Sequence, residues 1–412
     1  MNLTIDQERL LSEIEALAQI SDAEPPAVTR VVFTPTDLTA RTWLRKKCLE
    51  QDLAVRRDAV GNMFARWAGT DDTAAPVATG SHIDAIPNAG KYDGVVGVLG
   101  GLEAIRALQR SGFRPTRSIE LILFTSEEPT RFGIGCLGSR MLSGALTAEA
   151  ARQLTDTSGL TLEHVRQKAE MRGDLESVQL RSGHYCAFVE LHIEQGALLE
   201  RAHVPLGIVE SIAAPASYQL VAEGIGGHAG GVLMPDRKDA LCAAAEIILT
   251  IEEAALASGS LDTVATVGIC DVFPAAVNSI PSRVRFTLDL RDTDLPRRDR
   301  VLQAIQNKTH SVSEKRGVSI QFQIVNADAP ATCSPIVTNA LIRSCGEYNL
   351  PFQKMVSRAY HDSLFMSRIA PTGMVFIPCR NGYSHRPDEF ASPEDIARGT
   401  LILAETLAEL SH

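Results

Sequence analysis

At 412 residues, with 45% hydrophobic and 22% charged side chains, the chain has the make-up of a soluble globular protein and enough length for two domains. Its formal net charge of −10 argues against nucleic-acid binding, which needs a basic footprint. No apolar run approaches the roughly 20 residues of a membrane span, and the N-terminal stretch carries acids on a helical pattern, so it does not read as a signal peptide. The eight scattered cysteines, with no CxxC pair, suit reduced thiols in a cytoplasmic protein.

In chain order, residues 5–20 read as an amphipathic helix with Leu10, Leu11, Ile14, Leu17 and Ile20 on one stripe. A second helical run covers 35–51, and 53–67 reads as strand, turn at Gly61-Asn62, and strand. Residues 77–80 form a short apolar strand that delivers His82 at its C-terminal end. The run from Pro87 to Gly90 is turn-forming, and it is expected to bring Asp93 back towards His82 and Asp84. A helix follows with Val95, Val98, Leu99, Leu102, Ile105 and Leu108 at helical spacing, and 118–125 is a buried strand that stops at Glu127-Glu128. Strand, helix and strand in that order make a crossover unit with a parallel or mixed sheet. Another buried strand, 186–191, ends at His192.

From about Ala213 the texture changes. Strand 217–223, helix 235–256, strands 262–272 and 283–291, helix 295–315 and strand 318–325 follow the β-α-β-β-α-β order of a ferredoxin-like layer. The expected organisation is therefore an α/β mixed-sheet domain formed by residues 1–212 and 330–412, with an inserted α+β domain at 213–329. The chain returns through helix 336–347, an irregular segment around Tyr360-His361-Asp362, strand 374–377 leading to His385, and helix 393–410.

His82, Asp84, Asp93, Glu127, Glu128, His192 and His385 all fall where apolar strands stop or turns follow. Each alone has an ordinary reading: a lone His is more often a satisfied core or surface residue, and Glu-Glu is usually a solvated strand exit. Together, at the C-terminal ends of strands in an open α/β sheet, imidazoles and carboxylates are what divalent Zn or Mn asks of a protein.

The motifs GSHIDAIPNAGKYDG, FTSEE, GSRMLSG, ELHIEQG, GGHAG, VNSIPSRVRFTLDLRD and YHDS with GYSH occur in this order between about residues 80 and 390. The set resembles the amidohydrolase branch of the aminoacylase-like dinuclear metallopeptidases, which holds N-carbamoyl-L-amino-acid hydrolases, β-ureidopropionase, allantoate amidohydrolases and ureidoglycolate amidohydrolases. The resemblance implies that Asp93 bridges two metals, that His82 and His192 bind one each, and that Glu128 and His385 complete the shells. A shared anionic ligand offsets the repulsion between two cations. It further implies that Asp84 orients His82 by accepting its other ring N–H, and that Glu127 is the general base. His228 would steady the developing oxyanion, in the family from the other subunit of a homodimer. Asn278 and Arg291 would hold the substrate carboxylate, and Gln195 and His361 would add polar contacts. An ion pair of Arg291 with Asp289 or Asp292 is the ordinary alternative. The inserted domain would serve as a lid and dimerisation domain, closing about a hinge near Ala213 and Ala329.

Within the branch, Tyr360 and Ser363 flank the His-Asp pair where a small residue and Ala are usual, and both are expected to contact the substrate; HAGGVLMPDRKDA stands where HAGTTPM is usual. These stretches, with DTVATVG and GMVFIPCRNGYSHRPDEFASPED, are similar to the ureidoglycolate amidohydrolases of allantoin degradation. That implies a small ureide substrate and two divalent ions per subunit, Mn2+ by resemblance with Zn2+ as the alternative. Other readings are an N-carbamoyl-L-amino-acid hydrolase, an allantoate amidohydrolase, or an inactive ureide-binding descendant. The last would lack a ligand or the base, and here every such position is filled. No nucleic-acid or membrane partner is expected.

Overall fold

The computed structural model describes residues 3–412, which fall into two compact units. The first comprises residues 3–210, Thr332–Met355 and His361–His412; the second comprises Ser211–Ala331 and the short return segment Val356–Tyr360.

The first unit is built on a mixed sheet. Its strands run Gly207–Ile212, Thr372–Ile377, Ala187–Ile193, Val77–Ser81, Ile119–Leu123, Met63–Trp67 and Ala54–Arg57, in that spatial order. The central four are mutually parallel, and antiparallel strands flank them on both sides. Alternation along the central strands divides the core. Val189, Leu191, Leu121 and Leu123 face the helices Val95–Arg110 and Pro393–Leu410, while Phe188 and Ile122 face a second cluster with Phe64, Phe124 and Met366. Burial on both faces explains why these strands read as continuous apolar runs.

Local chemistry sets the helix starts. Asp6 accepts from Arg9 N, Thr34 from Asp37 N and Ser392 from Asp395 N, each capping a helix that the apolar spacing predicts. Two expectations for this unit fail. The run from Pro87 to Gly90 is not a turn: Pro87, Asn88 and Ala89 lie in the strand Ala85–Ala89, paired antiparallel with Val28–Arg30, an edge position where Pro87 costs no ladder bond. The chain reverses later, at Gly94, whose φ of 66° opens the helix Val95–Arg110. A Cβ there would lie 2.5 Å from the His82 ring, so glycine is required by close approach as well as by backbone. The segment expected to be irregular after Tyr360 contains a short helix, Asp362–Met366.

In the second unit the strands Val264–Thr266, Arg283–Asp292, Ala214–Glu223 and Ser319–Ala327 form an antiparallel sheet in that order, with Cys270–Phe273 also paired to Arg283–Asp292. This is the ferredoxin-like strand order, and the single strand expected at 262–272 is split into two short ones. Ala243, Ala244, Ile247 and Ile251 of the helix Ala240–Leu256 cover Leu220, Phe286 and Leu288 on one face of the sheet. By alternation, Arg285, Asp289 and Arg291 stand on the other face.

Candidate active site

The parallel strands deliver their side chains to one place. His82 follows Val77–Ser81, Glu127 and Glu128 lie beyond Ile119–Leu123, and His192 ends Ala187–Ile193. Asp93 lies at the centre. Its Oδ1 is 3.2 Å from His192 Nε2 and 3.6 Å from His82 Nε2, and its Oδ2 is 3.2 Å from His385 Nε2. His385 Nε2 is also 3.2 Å from Glu128 Oε1. Two overlapping groups result, His82-Asp93-His192 and Asp93-Glu128-His385, each with its ligand atoms within 4.8 Å of one another. The adjacent glutamates part company: Glu127 Oε2 lies 3.7 Å from His82, and Glu128 reaches His385.

The two buried imidazoles are fixed for ligation. His82 Nδ1 lies 3.0 Å from the Asp84 carbonyl and His192 Nδ1 2.9 Å from the Ile193 carbonyl. A carbonyl only accepts, so each Nδ1 carries a proton, and Nε2 is the ring atom turned to Asp93, able to bind a cation once it carries no proton of its own. With one Asp93 oxygen turned to each group, the donor set fits two divalent cations of the Mn or Zn kind. Electrostatics agree. Burial alone would raise Asp93, but hydrogen bonds from His192, His385 and His82 hold it well below the usual carboxylate range. Hydrogen bonds to Asp93 and Glu128 push His385 up to about 11. Burial above all, then the carboxylates of Glu128 and Asp362 working against the attraction of His82, pushes Glu127 well above the usual range. Such a cluster calls for cations, and Glu127 is biased towards taking up a proton.

Asp84 acts differently from the expectation. The backbone carbonyl of Asp84, not its carboxylate, holds His82; the carboxylate is 3.8 Å away. That carboxylate instead accepts from the backbone N–H groups of Glu127 and Glu128, at 3.2 and 3.0 Å. It pins the glutamate pair, on a segment where Ser126 is left-handed with φ of 54°.

Gln195 donates to Asp93 Oδ2 at 2.7 Å, and its buried Oε1 has no hydrogen-bond partner among the described residues. An orphaned acceptor beside the ligand set is a place for a bound group to donate. His361 is 2% exposed and packs its ring 4.4 Å from that of His192. Ser363 is fully buried, and both its amide and its hydroxyl, at 3.1 and 2.6 Å, bond to Glu190. A hydroxyl held that way faces the protein interior, which corrects the expectation that it meets substrate.

The other candidates belong to the second unit. His228 pairs with Ser279 in a two-residue bridge, and Ala229 N donates to the Asn278 carbonyl, so His228 and Asn278 are neighbours, both exposed. His228 Nδ1 accepts from Gly230 N at 3.1 Å, which leaves the proton on Nε2 as a donor. Arg291 makes a two-pronged ion pair with Asp289 at 2.7 and 3.1 Å, and its guanidinium lies 5.5 Å from the Tyr360 ring centre.

Three buried residues near the ligands escaped the sequence reading. The Cys136 thiol donates to Glu127 Oε1 at 3.4 Å, Glu190 also accepts from Ser81 Oγ, and Glu389 accepts from the Tyr92 and Asp93 amides. Only Glu190, in a strand apolar but for it and His192, carried a sequence signal.

Residues 78–409 match the model of the Peptidase family M20/M25/M40. A ureidoglycolate hydrolase of Arabidopsis thaliana is 50% identical over 418 residues, covering 100% of this chain and 88% of the relative. An N-carbamoyl-L-amino-acid amidohydrolase of a Pseudomonas strain is 37% identical over 98% of both chains. The crystal structure of AtUAH in complex with glyoxylate superposes with a TM-score of 0.91 at 50% identity, covering 99% of this chain and 98% of the other. The ligand-like cluster at the strand ends thus stands in a chain that belongs to the Peptidase family M20/M25/M40.

Proposed function

We propose that the protein hydrolyses the ureido C–N bond of (S)-ureidoglycolate, giving glyoxylate, ammonia and carbon dioxide. The chain is an amide C–N hydrolase by its relatives, and the observation that carries the substrate is its half-identity, over the full length, to ureidoglycolate hydrolases. A second solved structure of AtUAH holds (S)-hydroxyglycine. That species is what loss of the carbamoyl group from ureidoglycolate would leave, and its collapse yields glyoxylate and ammonia.

His82, Asp93, Glu128, His192 and His385 would hold two divalent cations. When bound, these supply Lewis acidity towards a carbonyl and towards water. Mn2+ is our assignment, with Zn2+ compatible with the same N/O donors. Glu127, hydrogen-bonded by Cys136 and pinned through its backbone by Asp84, takes a proton from the attacking water. It then returns that proton to the leaving nitrogen. His228, protonated on Nε2, is assigned to the oxyanion, and Asn278 and Arg291 to the substrate carboxylate, with Tyr360 against the Arg291 guanidinium. Gln195 offers its unpaired Oε1 to a substrate N–H or O–H.

We assign a homodimer because most of the exposed large apolar side chains, among them Ile225, Leu233, Met234, Leu261, Phe273 and Val277, belong to the inserted unit. Sedimentation at micromolar concentration tests it. A cytoplasmic setting suits the eight free thiols, and no helix among the described residues is long and apolar enough to cross a membrane.

The deciding experiment measures ammonia release from ureidoglycolate, allantoate and N-carbamoyl amino acids side by side on the Mn-loaded protein. The highest kcat/KM is expected for ureidoglycolate. Faster turnover of a carbamoyl amino acid would sink the assignment.

A further inference from the structure

His385 differs from the other ligand candidates. Its side chain is 47% exposed, its backbone is left-handed with φ of 60°, and it sits on a loop rather than at a strand end. A ligand placed that way needs something else to fix its distance from Asp93, some 290 residues earlier in the chain.

Glu389, four residues further along the same loop, is 5% exposed and occupied on both oxygens. Its Oε1 accepts from Tyr92 N at 2.8 Å and from Asp93 N at 3.1 Å. Its Oε2 accepts from Ser384 Oγ at 2.8 Å, and that hydroxyl lies equally 2.8 Å from Asp93 Oδ2. Ser384 has one proton, so it serves one carboxylate at a time, but its oxygen is held between the two in either case. The fit is tight: a Cβ at Gly90 would come within 2.4 Å of Glu389 Cβ. The next residue, Phe390, sets its ring edge-on to Tyr92, with centroids 6.1 Å apart.

We propose that Glu389 is a positioning residue for the Asp93-Glu128-His385 cation site, clamping the backbone of Asp93 to the loop that carries His385 through the Ser384 hydroxyl. The inference rests on the reading that these residues hold a metal. A carboxylate spanning two amides and a hydroxyl does what outer-shell partners do at metal sites, fixing the orientation of one ligand and the approach of another. The neighbouring Asp388, paired with Arg386 at the exposed surface, does none of this.

The test removes metal from the full-length protein with a chelator, titrates Mn2+ back by calorimetry, and measures bound metal by mass spectrometry. The wild-type protein is read first; uptake of fewer than two ions would overturn the dinuclear reading and this inference with it. Given two ions, Glu389→Ala is expected to retain one and to bind the other roughly ten- to hundredfold more weakly. Glu389→Gln keeps an oxygen for the two amides and offers its N–H2 to Ser384 Oγ, so it should stay within about threefold of wild type. Asp388→Ala should be unchanged. Two ions bound at wild-type affinity by Glu389→Ala would overturn the proposal. Equal weakening in the Ala and Gln variants would also overturn it, by placing the effect on charge rather than geometry. Should Glu389→Ala fail to fold, Ser384→Ala carries the test: the clamp requires a weakened second ion, and wild-type affinity refutes it.

Discussion

His82 and His192 are 2% and 0% exposed, each with Nδ1 bound to a backbone carbonyl, whereas His228 stands exposed with its Nδ1 bonded to an amide two residues away. The same contrast separates Asp93, gripped by Gln195, Ser384 and three imidazoles, from Arg291, whose fork is paired with the partly exposed carboxylate of Asp289. The difference follows from what each set is proposed to hold. Two cations repel each other, and a carboxylate cluster repels itself, so ligands must be built in place before anything binds. Groups for a small organic acid need only present donors, and their order can come with the ligand.

That contrast breaks most sharply at Glu127. Glu127→Gln keeps the shape but cannot accept the proton, and hydrolysis should fall about 10³-fold while metal content stays at the wild-type level. Retained activity would refute the base, and lost metal would make Glu127 a ligand instead. His228→Ala should cost about 10²-fold in kcat, the usual loss for one oxyanion donor, without touching metal content. Mixing these two inactive variants then asks where His228 works. If it serves the other subunit, heterodimers regain activity, because one of their two sites is intact; if it serves its own, they stay inactive.

Arg291→Lys probes the substrate clamp. A lysine keeps the charge but loses the fork, so KM for ureidoglycolate should rise about tenfold with kcat little changed. Asp289 already holds that fork at 2.7 and 3.1 Å, so a substrate carboxylate shares the guanidinium with it. An unchanged KM would leave Arg291 as the ordinary strand ion pair that its position beside Asp289 also allows.

Much of this was legible in the chain because the ligands sit at punctuation marks. The apolar runs that end at His82, Glu127 and His192 had to be buried strands, and strand-helix-strand order placed their ends together. The stretch Pro87-Asn88-Ala89-Gly90 misled, since its composition is that of a turn; pairing with Val28–Arg30 overrode local preference. Asp84 was found and its part mistaken, because a two-residue spacing gives the face of a side chain and not which of its oxygens is used. Glu389 was invisible: in SHRPDEF it reads as one more solvated charge, and only the fold brings it to amides nearly 300 residues away.

Ser363 is where sequence contrast pointed to the wrong property. It stands where alanine is usual in the resembling family, which made it look like a contact for the substrate's hydroxyl. Its own hydroxyl donates to Glu190 at 2.6 Å, in a buried network that also takes the Ser81 hydroxyl at 2.8 Å. Ser363→Ala removes one charge-assisted hydrogen bond and leaves the Ser363 amide and Ser81 still bonded to Glu190. The expected cost is therefore about 1–2 kcal/mol of stability. It should appear as a lower denaturation midpoint at constant slope, with KM for ureidoglycolate within about twofold of wild type. A KM rise with the midpoint unchanged would return Ser363 to the substrate. The other outcome leaves Tyr360, against Arg291 on the second unit, as the aromatic side chain to test next for selectivity.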